Sequence, residues 1–455
     1  MTTRFYDQEL DETPLQPSRL ADAFYRGIRQ RSEWMIGAEF EKIALFRRDG
    51  RQVPFGGPRG IEAQLRMLSS QAGWSPHFEG DALIALRKGD ACVTLEPGGQ
   101  IELSTAPHRH LRGIQEELDA HMDELESLPQ AAEVAWVGIG LSPFTPPEDV
   151  VLMPKARYRI MDRYLPERSP HARWMMRSSA SIQVTVDYSS EADAARKFLV
   201  ALSLSPIVNA LFANSPLRAG RLSGDVAHRG RIWKGMDPDR SGYLKDVADF
   251  DDFSFERWTD YLLDVPMMFY ARRDLFREAH GRTFRDYMEK GLEGRYPTME
   301  EWETHQTTVF PEVRLKHFIE IRGADCVPRP LAMAVPALWK GLLYDEQSLE
   351  AAFALARRIA PDERERLAET AFSKGLKAHW QGRSLAEHAL EILELAHEGL
   401  VRLEKGASEP RADEARYLEP AFEVARRACS PGCEIIARWP EFAHAPSALV
   451  EALRM

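Results

Sequence analysis

Acidic residues recur at strand spacing in four short segments of the chain. In the segment 36–42, Glu39 and Glu41 alternate with apolar residues, so both carboxylates lie on one side of a β-strand. Three further segments also have one apolar and one polar face: 100–104, 181–187 and 318–322. The polar side chains of the four segments and of a preceding turn include Glu39, Glu41, Glu96, Glu102, Gln183, Glu320 and Arg322.

These acids predict a magnesium site. Carboxylates without His or Cys partners suit Mg²⁺, which keeps coordination sites for water and substrate phosphates. The expected ligands are the five acids Glu39, Glu41, Glu96, Glu102 and Glu320. The alternative is that the polar faces are merely solvated, as an exposed sheet face usually is. Four segments with the same division favour a site, because like charges opposite one another destabilise a sheet unless a cation compensates them.

Basic residues close to these acids could reach phosphate or carboxylate oxygens. Arg322 follows Glu320 by two residues on the same strand face, and Arg314 and Lys316 lead into that strand. A second basic group consists of Lys155, Arg157 and Arg159. In phosphoryl transfer a protein works mainly by positioning and by neutralising charge, so basic neighbours are expected beside metal-binding acids. For the second group, a solvated surface is the alternative.

An antiparallel sheet is the element that must position these side chains. Strands with one apolar and one polar face indicate a sheet packed on helices from one side, since parallel sheets are usually covered on both. Apolar spacing predicts a helix over 110–128, and a capping pattern at Ser384 and Glu387 predicts another over about 385–403. The fold class is therefore α+β, with a mainly helical part from about 338 to 455. We expect one large catalytic domain over residues 1–455 that opens with a leader over 1–20.

Composition excludes several classes of protein. The 455 residues include 59 Lys and Arg against 70 Asp and Glu, and the net charge of −11 argues against a nucleic-acid partner. The apolar stretches 198–212 and 331–344 are shorter than the ~20 residues that cross a bilayer, so no membrane span is expected. The N-terminus lacks a basic-then-apolar secretory signal and only four cysteines occur, so the expected location is the cytoplasm.

Seven strings of the sequence resemble the plant and proteobacterial type of glutamate–cysteine ligase. They follow one another in order and are GAEFEK at 37–42, LEPGGQIELS at 95–104, MPKARY at 153–158, SEAD at 190–193, LFANSP at 211–216, FPEVRLK at 310–316 and EIRGAD at 320–325. The resemblance implies the fold of the glutamine synthetase and guanido kinase group, in which helices back a curved antiparallel sheet with one polar catalytic face. This fold agrees with the sheet that the strand patterns predict.

The resemblance implies a two-stage ligation. ATP phosphorylates the γ-carboxylate of L-glutamate, and the amine of L-cysteine then attacks the acyl phosphate to form an amide and release phosphate. Such a reaction is the first step in making glutathione or a related thiol. The expected small molecules are therefore glutamate, cysteine, the co-substrate ATP and Mg²⁺, bound by a monomer or a homodimer.

The resemblance also suggests roles for individual residues. Arg322 and Glu320 are expected to act in catalysis, because Arg322 shares a strand face with Glu320 and keeps its charge at every working pH. The expected substrate-binding residues are Arg157, Arg240, Gln183 and Trp233, with Arg240 preferred for the α-carboxylate of glutamate. The expected nucleotide-binding residues are Lys155, His305, Arg314 and Lys316. For His305 and Trp233, packing in the core is the alternative.

Other interpretations stay open at this point. A ligase of this type could use a different amine, because a pocket rejects close analogues only weakly unless it hydrogen-bonds their differences. A protein of the same fold could also bind these ligands without turnover, although the complete set of acids together with Arg322 favours an enzyme. Replacement of Glu320 or Arg322 is expected to remove most turnover and to leave the fold intact, because neither belongs to an apolar face. Cys429 and Cys433 are interpreted as two unrelated thiols.

Overall fold

The computed structural model describes residues 11–244, 247–272, 275–405 and 413–455. Residues 1–10 of the expected leader lie outside this set, and the described remainder contains a short 3₁₀-helix, Pro17–Arg19. The strands are β1 Ile36–Phe46, β2 Ser75–Glu79, β3 Ala82–Lys88, β4 Ala91–Leu95, β5 Ile101–Ser104, β6 Val134–Val137, β7 Ile182–Val186, β8 Leu217–Arg218, β9 Arg221–Leu222, β10 Ser241–Gly242, β11 Phe269–Arg272, β12 Leu275–Glu278, β13 Phe310–Pro311, β14 Val313–Leu315, β15 Ile319–Ile321, β16 His379–Trp380 and β17 Arg383–Ser384.

Helices make up most of the remaining secondary structure. They are α1 Asp22–Arg26, α2 Ile61–Gln71, α3 Leu111–Glu126, α4 Ala156–Arg168, α5 Ala172–Ser178, α6 Glu191–Leu211, α7 His228–Lys234, α8 Phe255–Asp264, α9 Phe284–Lys290, α10 Met299–Gln306, α11 Arg329–Ala332, α12 Ala334–Tyr344, α13 Glu346–Ala356, α14 Pro361–Lys374, α15 Leu385–Lys405, α16 Glu419–Arg426, α17 Pro431–Phe442 and α18 Pro446–Ala452. From α11 onwards the described chain is almost entirely helical, as the sequence predicts.

One sheet of nine strands forms the centre of the fold. Its order is β14-β15-β7-β1-β5-β4-β3-β2, and β6 pairs with the second half of β1. Every pairing in this sheet is antiparallel. The predicted antiparallel sheet and the α+β class are therefore confirmed.

Alternating apolar side chains form the packed side of the sheet. On β1, Ile36, Ala38 and Phe40 are all buried. The helices α3 and α12 pack against β1, and α12 also packs against β7. The apolar side of the sheet is thus covered by helices, in agreement with the sequence pattern.

The two helices predicted from sequence are both present. The segment 110–128 forms α3, and the segment 385–403 forms α15, which extends two residues further. At the start of α15 the amide of Glu387 donates to Ser384 Oγ at 3.3 Å, while the amide of Ser384 donates to Glu387 Oε2 at 2.8 Å. The predicted capping pair therefore satisfies two backbone groups that the helix itself cannot.

The helix α6 is long and apolar enough to span a membrane by length and composition. In the structure, 89% of its most apolar window is buried inside the protein. A helix that is apolar all round and enclosed in this way is typical of a protein core. The segment therefore forms a buried helix, as expected.

The polar side of the sheet is covered, whereas a sheet packed on helices from one side only would leave it open. Glu41, Glu102 and Glu320 are only 7%, 0% and 1% exposed. The chain itself covers this side, because α7 places the ring of Trp233 5.8 Å from the guanidinium of Arg322. Alternation along a strand shows which side a residue occupies but not what the rest of the chain places over that side.

Two glycines let α12 and α15 approach each other closely. A Cβ added to Gly341 would lie 2.2 Å from the carbonyl oxygen of Ala396, and one added to Gly399 would lie 2.1 Å from that of Gly341. No side chain fits at such distances, so the contact between the helices requires glycine at both positions.

We expect Gly399→Ala to destabilise the protein, because the added methyl group must push α15 away from α12. Overpacking of this kind costs about 1–3 kcal/mol, so the urea midpoint of unfolding should fall measurably. The control is Glu398→Ala on the exposed side of α15, where only a surface ion pair with Arg402 is lost. Equal midpoints for the two variants would contradict the close contact.

Candidate active site

Strand pairing brings the predicted acids of neighbouring strands side by side. Glu41 on β1 lies directly opposite Glu102 on β5, and Glu102 lies opposite Thr94 on β4. In the adjacent row, Glu39 pairs with Gln183 on β7. Because alternate residues point to the same side, these side chains form rows across the polar side of the sheet.

Three acids converge tightly in this region. Glu41, Glu96 and Glu102 each offer a carboxylate oxygen, these oxygens all lie within 4.8 Å of one another, and all three residues are buried. We call Glu41, Glu96 and Glu102 the three-acid group. The sequence analysis placed these residues together, whereas Glu39 and Glu320 lie outside this group of three.

A tight turn after β4 positions Glu96. The amide of Gly99 donates to the carbonyl of Glu96 at 2.9 Å, and the amide of Glu96 donates to the carbonyl of Gln100 at 2.9 Å. A Cβ on Gly98 would lie 2.2 Å from the carbonyl oxygen of Arg177, so glycine is required there. The turn thus brings Glu96 beside two acids that come from the strands.

Neutral donors hold Glu41 in place. Its Oε2 accepts from the amide of Ser181 at 2.6 Å and from Ser181 Oγ at 3.0 Å, and its Oε1 accepts from Gln183 Nε2 at 3.0 Å. Hydroxyl groups of Thr94 and Ser104 contact Glu102 Oε1 at 3.1 and 3.2 Å. These contacts fix the directions of the two carboxylates.

Burial and mutual repulsion make it difficult for these acids to ionise together. Burial raises the pKa of Glu41 to about 7, and the charges of Glu96 and Glu102 add to the shift. Burial likewise raises the pKa of Glu39 to about 8, with contributions from Glu102 and Glu320. A divalent cation would relieve this repulsion, and a set of carboxylate oxygens without His or Cys suits a hard ion such as Mg²⁺. The three-acid group therefore fits a magnesium ion.

Glu320 has a different environment from the three-acid group. Arg314 Nε donates to its Oε2 at 2.8 Å, Lys316 Nζ lies 3.1 Å from its Oε1, and Arg322 Nη1 lies 2.9 Å from its Oε2. Although burial acts to raise it, these three cations hold the pKa of Glu320 well below its usual range. The structure thus surrounds Glu320 with protein cations, in contrast to the expected role as a metal ligand.

Gln183 links the two groups of charges. Arg322 Nη1 donates to Gln183 Oε1, and Gln183 Nε2 donates to Glu41 Oε1 at 3.0 Å. Gln183 is fully buried, and its amide uses both ends in this chain of contacts. The residue therefore connects Arg322 to the three-acid group and orients both.

A small cavity lies beside Arg322. It is lined by Arg229, Gly230 and Trp233 from α7, by Gly242, by the segment 310–312 and by Arg322 itself. Arg229 is anchored there, since its Nη1 and Nη2 donate to the carbonyls of Gly323 and Arg322 at 3.1 Å each. Trp233, one of the expected substrate-binding residues, is among the residues that line this cavity.

Arg229 and Glu312 are lining residues that the sequence analysis did not assign to the site. A signal was present for each: Arg229 precedes Trp233 by one helical turn, and Glu312 belongs to the quoted string FPEVRLK. Neither signal shows which way a side chain points.

The structure does not place Arg240 at this site. The residue is fully buried, and its Nε pairs with Asp237 Oδ2 at 2.7 Å. Its remaining donors contact the carbonyls of Pro266 and Thr308 and the hydroxyl of Tyr164. Because protein acceptors already use these donors, Arg240 holds its own loop together and is not available for a carboxylate ligand.

His305 is also packed inside the protein and not exposed in a site. Its ring stacks on that of Phe284, with 5.2 Å between ring centroids, and its Nε2 lies 2.8 Å from the carbonyl oxygen of Leu262. Burial lowers its pKa to about 4, so the ring is neutral at physiological pH. The alternative of a core residue fits this environment better than contact with a nucleotide.

Lys155 and Arg157, the basic residues of the string MPKARY, differ in how deeply they are buried. Lys155 is buried, and its Nζ donates to the carbonyl of Leu95 at 2.8 Å, directly before Glu96. Burial lowers the pKa of Lys155 to about 8, while the charge of Glu96 opposes that shift. Arg157 is partly buried and donates to Thr307 Oγ1 at 3.2 Å. Lys155 is therefore the one of the two that lies next to the three-acid group.

Comparison with known proteins gives a consistent result. The model of the glutamate–cysteine ligase family 2 matches residues 35–439. The chloroplastic glutamate–cysteine ligase of Medicago truncatula is 38% identical over 421 residues, which cover 92% of this chain and 81% of that protein. The chloroplastic enzyme of Arabidopsis thaliana is 37% identical over 426 residues, which cover 93% and 80%.

A solved structure shares the fold. The glutamate–cysteine ligase of Francisella tularensis, crystallised in complex with AMP, aligns with a TM-score of 0.56 at 12% identity. The alignment covers 92% of this chain and 87% of that one. At this identity the likeness supports the architecture of sheet and helices described above.

The relatives correct the expected cellular location. Those from Medicago truncatula, Nicotiana tabacum and Arabidopsis thaliana are all named chloroplastic. The expectation of a cytoplasmic protein is therefore contradicted. Its reasoning was too coarse, because a low cysteine count argues against an oxidising compartment without telling one reducing compartment from another.

We expect Glu41→Gln to make the metal-free protein more stable at pH 8. Burial and the charges of Glu96 and Glu102 disfavour the ionised form of Glu41, and the neutral amide removes that cost. The raised pKa of Glu41, about 7, places the destabilisation above about pH 5, so the gain should shrink towards pH 5, where the native Glu41 is protonated.

Thermal unfolding in a chelator across this pH range tests the effect, with the exposed Glu148→Gln as control. The same variant should bind added Mg²⁺ more weakly. A melting temperature that falls at pH 8, together with unchanged Mg²⁺ affinity, would contradict the three-acid group as a cation site.

We expect Arg240→Gln to be strongly destabilising. The change leaves Asp237 buried without its closest cation, and breaking a buried pair in this way costs about 3–5 kcal/mol. Chemical unfolding of the variant should show this loss, whereas the exposed Arg438→Gln, which loses surface contacts with Glu441 and the ring of Phe442, should not. A stable Arg240→Gln protein would reopen the assignment of Arg240 to ligand binding.

Proposed function

The chain belongs to the glutamate–cysteine ligase family 2, and on that basis we propose that it joins the γ-carboxylate of L-glutamate to the amine of L-cysteine with conversion of ATP to ADP and phosphate. The observation that carries the proposal is the three-acid group beside the network of Arg322 and Glu320. Phosphoryl transfer needs this combination of cation-binding acids and fixed positive charge.

The reaction has two steps that balance without a further reactant. An oxygen of the γ-carboxylate attacks the γ-phosphorus of ATP, the bond to the bridging oxygen breaks, and ADP leaves. The neutral amine of cysteine then attacks the acyl carbon of γ-glutamyl phosphate, and phosphate leaves as the amide forms. The amine loses a proton in this step. The product, γ-glutamylcysteine, is the precursor of glutathione or a related thiol.

The three-acid group is the proposed holder of Mg²⁺, with Glu39 in the adjacent row. A bound Mg²⁺ would neutralise charge on the phosphates of ATP. Gln183 and Ser181 keep Glu41 oriented for this purpose through the contacts described above. Lys155 supports the turn that carries Glu96.

Arg322 is the proposed residue that stabilises charge on the transferred phosphoryl group. It is buried, its guanidinium stays charged, and Gln183 connects it to the three-acid group. Glu320 then acts as a positioning residue, because it holds Arg322 together with Arg314 and Lys316. Lys316 is the most exposed of these cations and is the proposed contact to nucleotide phosphates.

In place of Arg240, the proposed contacts of the α-carboxylate are Arg229 Nε and Trp233 Nε1, two buried donors without a hydrogen-bond partner among the described residues. Both line the cavity beside Arg322, and the guanidinium of Arg229 lies 5.7 Å from the ring of Trp233. The α-carboxylate of glutamate would lie beside Arg322, which lines the same cavity.

The direct test is product formation. With ATP, Mg²⁺ and glutamate present, we expect cysteine to stimulate phosphate release and to give a γ-glutamyl dipeptide identified by mass. Alanine, glycine and 2-aminobutyrate in place of cysteine then report the preference among amines. If ATP binds but no amine stimulates phosphate release, the proposed ligation is wrong.

The matched variant is Arg322→Lys. It keeps a positive charge beside Glu320 but loses the planar fork of donors, and removal of one charge-stabilising donor typically lowers kcat by about 100- to 1,000-fold. The sequence analysis expected Glu320→Gln to leave the fold intact, but the structure predicts a loss of stability as well as turnover, since three cations would lose their common acceptor. Full activity in Arg322→Lys would remove Arg322 from the mechanism.

A further inference from the structure

The peptide groups of the turn after β4, between Leu95 and Gly99, all have hydrogen-bond partners. Two of these contacts lie within the turn itself and are described above. Two more come from the segment that leads into α4: Lys155 Nζ donates to the carbonyl of Leu95 at 2.8 Å, and the amide of Met153 donates to that of Pro97 at 2.9 Å. Loops usually leave some backbone groups to water, so this turn is held more firmly than most.

Two glutamine side chains hold the middle of the turn. Gln100 Oε1 accepts from the amide of Gly98 at 2.9 Å, and Gln52 Nε2 donates to the carbonyl of Gly98 at 2.7 Å. Gln100 Nε2 also donates to the carbonyl of Ser179 at 2.7 Å, at the end of α5. Gln52 Nε2 lies 3.2 Å from the carbonyl oxygen of Arg177 in the same helix. The last carbonyls of a helix have no partner inside it, so both amides join the turn to a helix end that needs donors.

We call Gln52 and Gln100 the glutamine clamp. The clamp determines the position of one acid of the three-acid group, because the clamped Gly98 follows Glu96 by two residues. Glu96 is only 6% exposed, so its side chain has little room to turn away. The other two acids extend from paired antiparallel strands. All three carboxylates therefore extend from backbone that hydrogen bonds hold in place.

A fixed set of carboxylates affects Mg²⁺ and Ca²⁺ differently. Mg²⁺ requires nearly octahedral geometry with metal–oxygen distances of about 2.0–2.1 Å, whereas Ca²⁺ accepts longer distances of about 2.3–2.6 Å in flexible arrangements. Ligands that are kept close together favour the smaller ion, and ligands that can move apart accommodate the larger one. The groups that orient the ligands thus contribute to deciding which ion binds.

We propose that the glutamine clamp makes the three-acid group selective for Mg²⁺ over Ca²⁺. The inference rests on the proposed magnesium site and adds to it the feature of the fold that discriminates between the two ions. Gln52 and Gln100 are specificity-determining residues that act through Glu96 and not by binding the metal. Without the clamp, the turn that carries Glu96 can move outward and open the site to the larger ion.

The variants Gln52→Met and Gln100→Met remove the amide groups of the clamp and keep side chains of similar length. Gln52 is only partly buried, so its variant is the better tolerated of the two. The matched control is Gln130→Met, because Gln130 is buried and its Nε2 likewise donates to a backbone carbonyl, that of Pro58 at 3.3 Å. Gln130 lies in the 3₁₀-helix Pro129–Ala132, outside the turn and outside α5.

The experiment measures the binding of Mg²⁺ and of Ca²⁺ to the full chain by titration calorimetry, after a chelator has removed bound metal. Glu41→Gln locates the site, since a cation held by the three-acid group must bind this variant more weakly. The melting temperature of each variant in chelator establishes that it is folded and reports any general loss of stability. Phosphate release with ATP, glutamate and cysteine is then followed as the Mg²⁺ concentration is raised.

We expect the wild type to bind Mg²⁺ more tightly than Ca²⁺. Loss of an outer partner of a metal ligand typically weakens metal binding by about 10- to 100-fold, so both clamp variants should bind Mg²⁺ at least about 10-fold more weakly. Their affinity for Ca²⁺ should fall by less than about 3-fold, because Ca²⁺ adapts to a wider site. In Gln52→Met the KM for Mg²⁺ should rise while kcat at saturating Mg²⁺ is kept. Gln130→Met should keep the wild-type ratio of the two affinities.

A wild type with equal affinity for the two ions would overturn the inference, and so would an unchanged ratio in the folded clamp variants. Equal weakening of both ions together with a lower melting temperature would show that the clamp only stabilises the fold. If Gln100→Met does not fold, Gln52→Met decides alone, and Gln52→Asn replaces it if that variant does not fold either. Mg²⁺ binding that Glu41→Gln leaves unchanged refutes the proposed magnesium site itself, which is a separate failure.

Discussion

Repulsion between buried carboxylates is the constraint on which this structure depends. Antiparallel pairing places Glu41 directly opposite Glu102, and the turn after β4 adds Glu96 to the same space. At such separations two charges near a protein surface repel each other by roughly 3 kcal/mol, and burial adds a cost of desolvation for each. A sheet that retains this arrangement gives up stability when no cation is bound. The raised pKa values of Glu39 and Glu41 are the direct sign of this cost.

Glu320 and the three-acid group are neighbouring acids with different electrostatic surroundings. Glu320 receives three cations from its own and adjacent segments, so its charge is balanced within the chain. In the three-acid group, hydroxyl, amide and backbone donors orient Glu41 and Glu102, while burial and the neighbouring acids raise the pKa of Glu41. This difference is why the metal site is proposed at the three-acid group and not at Glu320. It also explains why Glu320, although close in space, is better understood as the support of Arg322.

Sequence reasoning succeeded where a local rule determines the structure. Alternation along β1 correctly predicted which residues pack in the core, and residue spacing predicted α3 and α15. It failed where tertiary partners decide the outcome. Arg240 and His305 match the chemistry of a ligand site, yet Asp237 and Phe284 engage them in the core. Arg229 and Glu312 were not assigned to the site because the direction of a side chain, and so the cavity that it lines, is visible only in three dimensions.

Arg322 is where the two halves of the site meet. One side of its guanidinium contacts Glu320 and Gln183 on the sheet, and the other side faces Trp233 and the cavity. If glutamate binds as proposed, Arg322 would lie beside it and would also contact the transferred phosphoryl group, and Gln183 links Arg322 to Glu41 of the three-acid group. The length of the donor side chain, and not only its charge, would then have to match the distance from the cavity to the sheet.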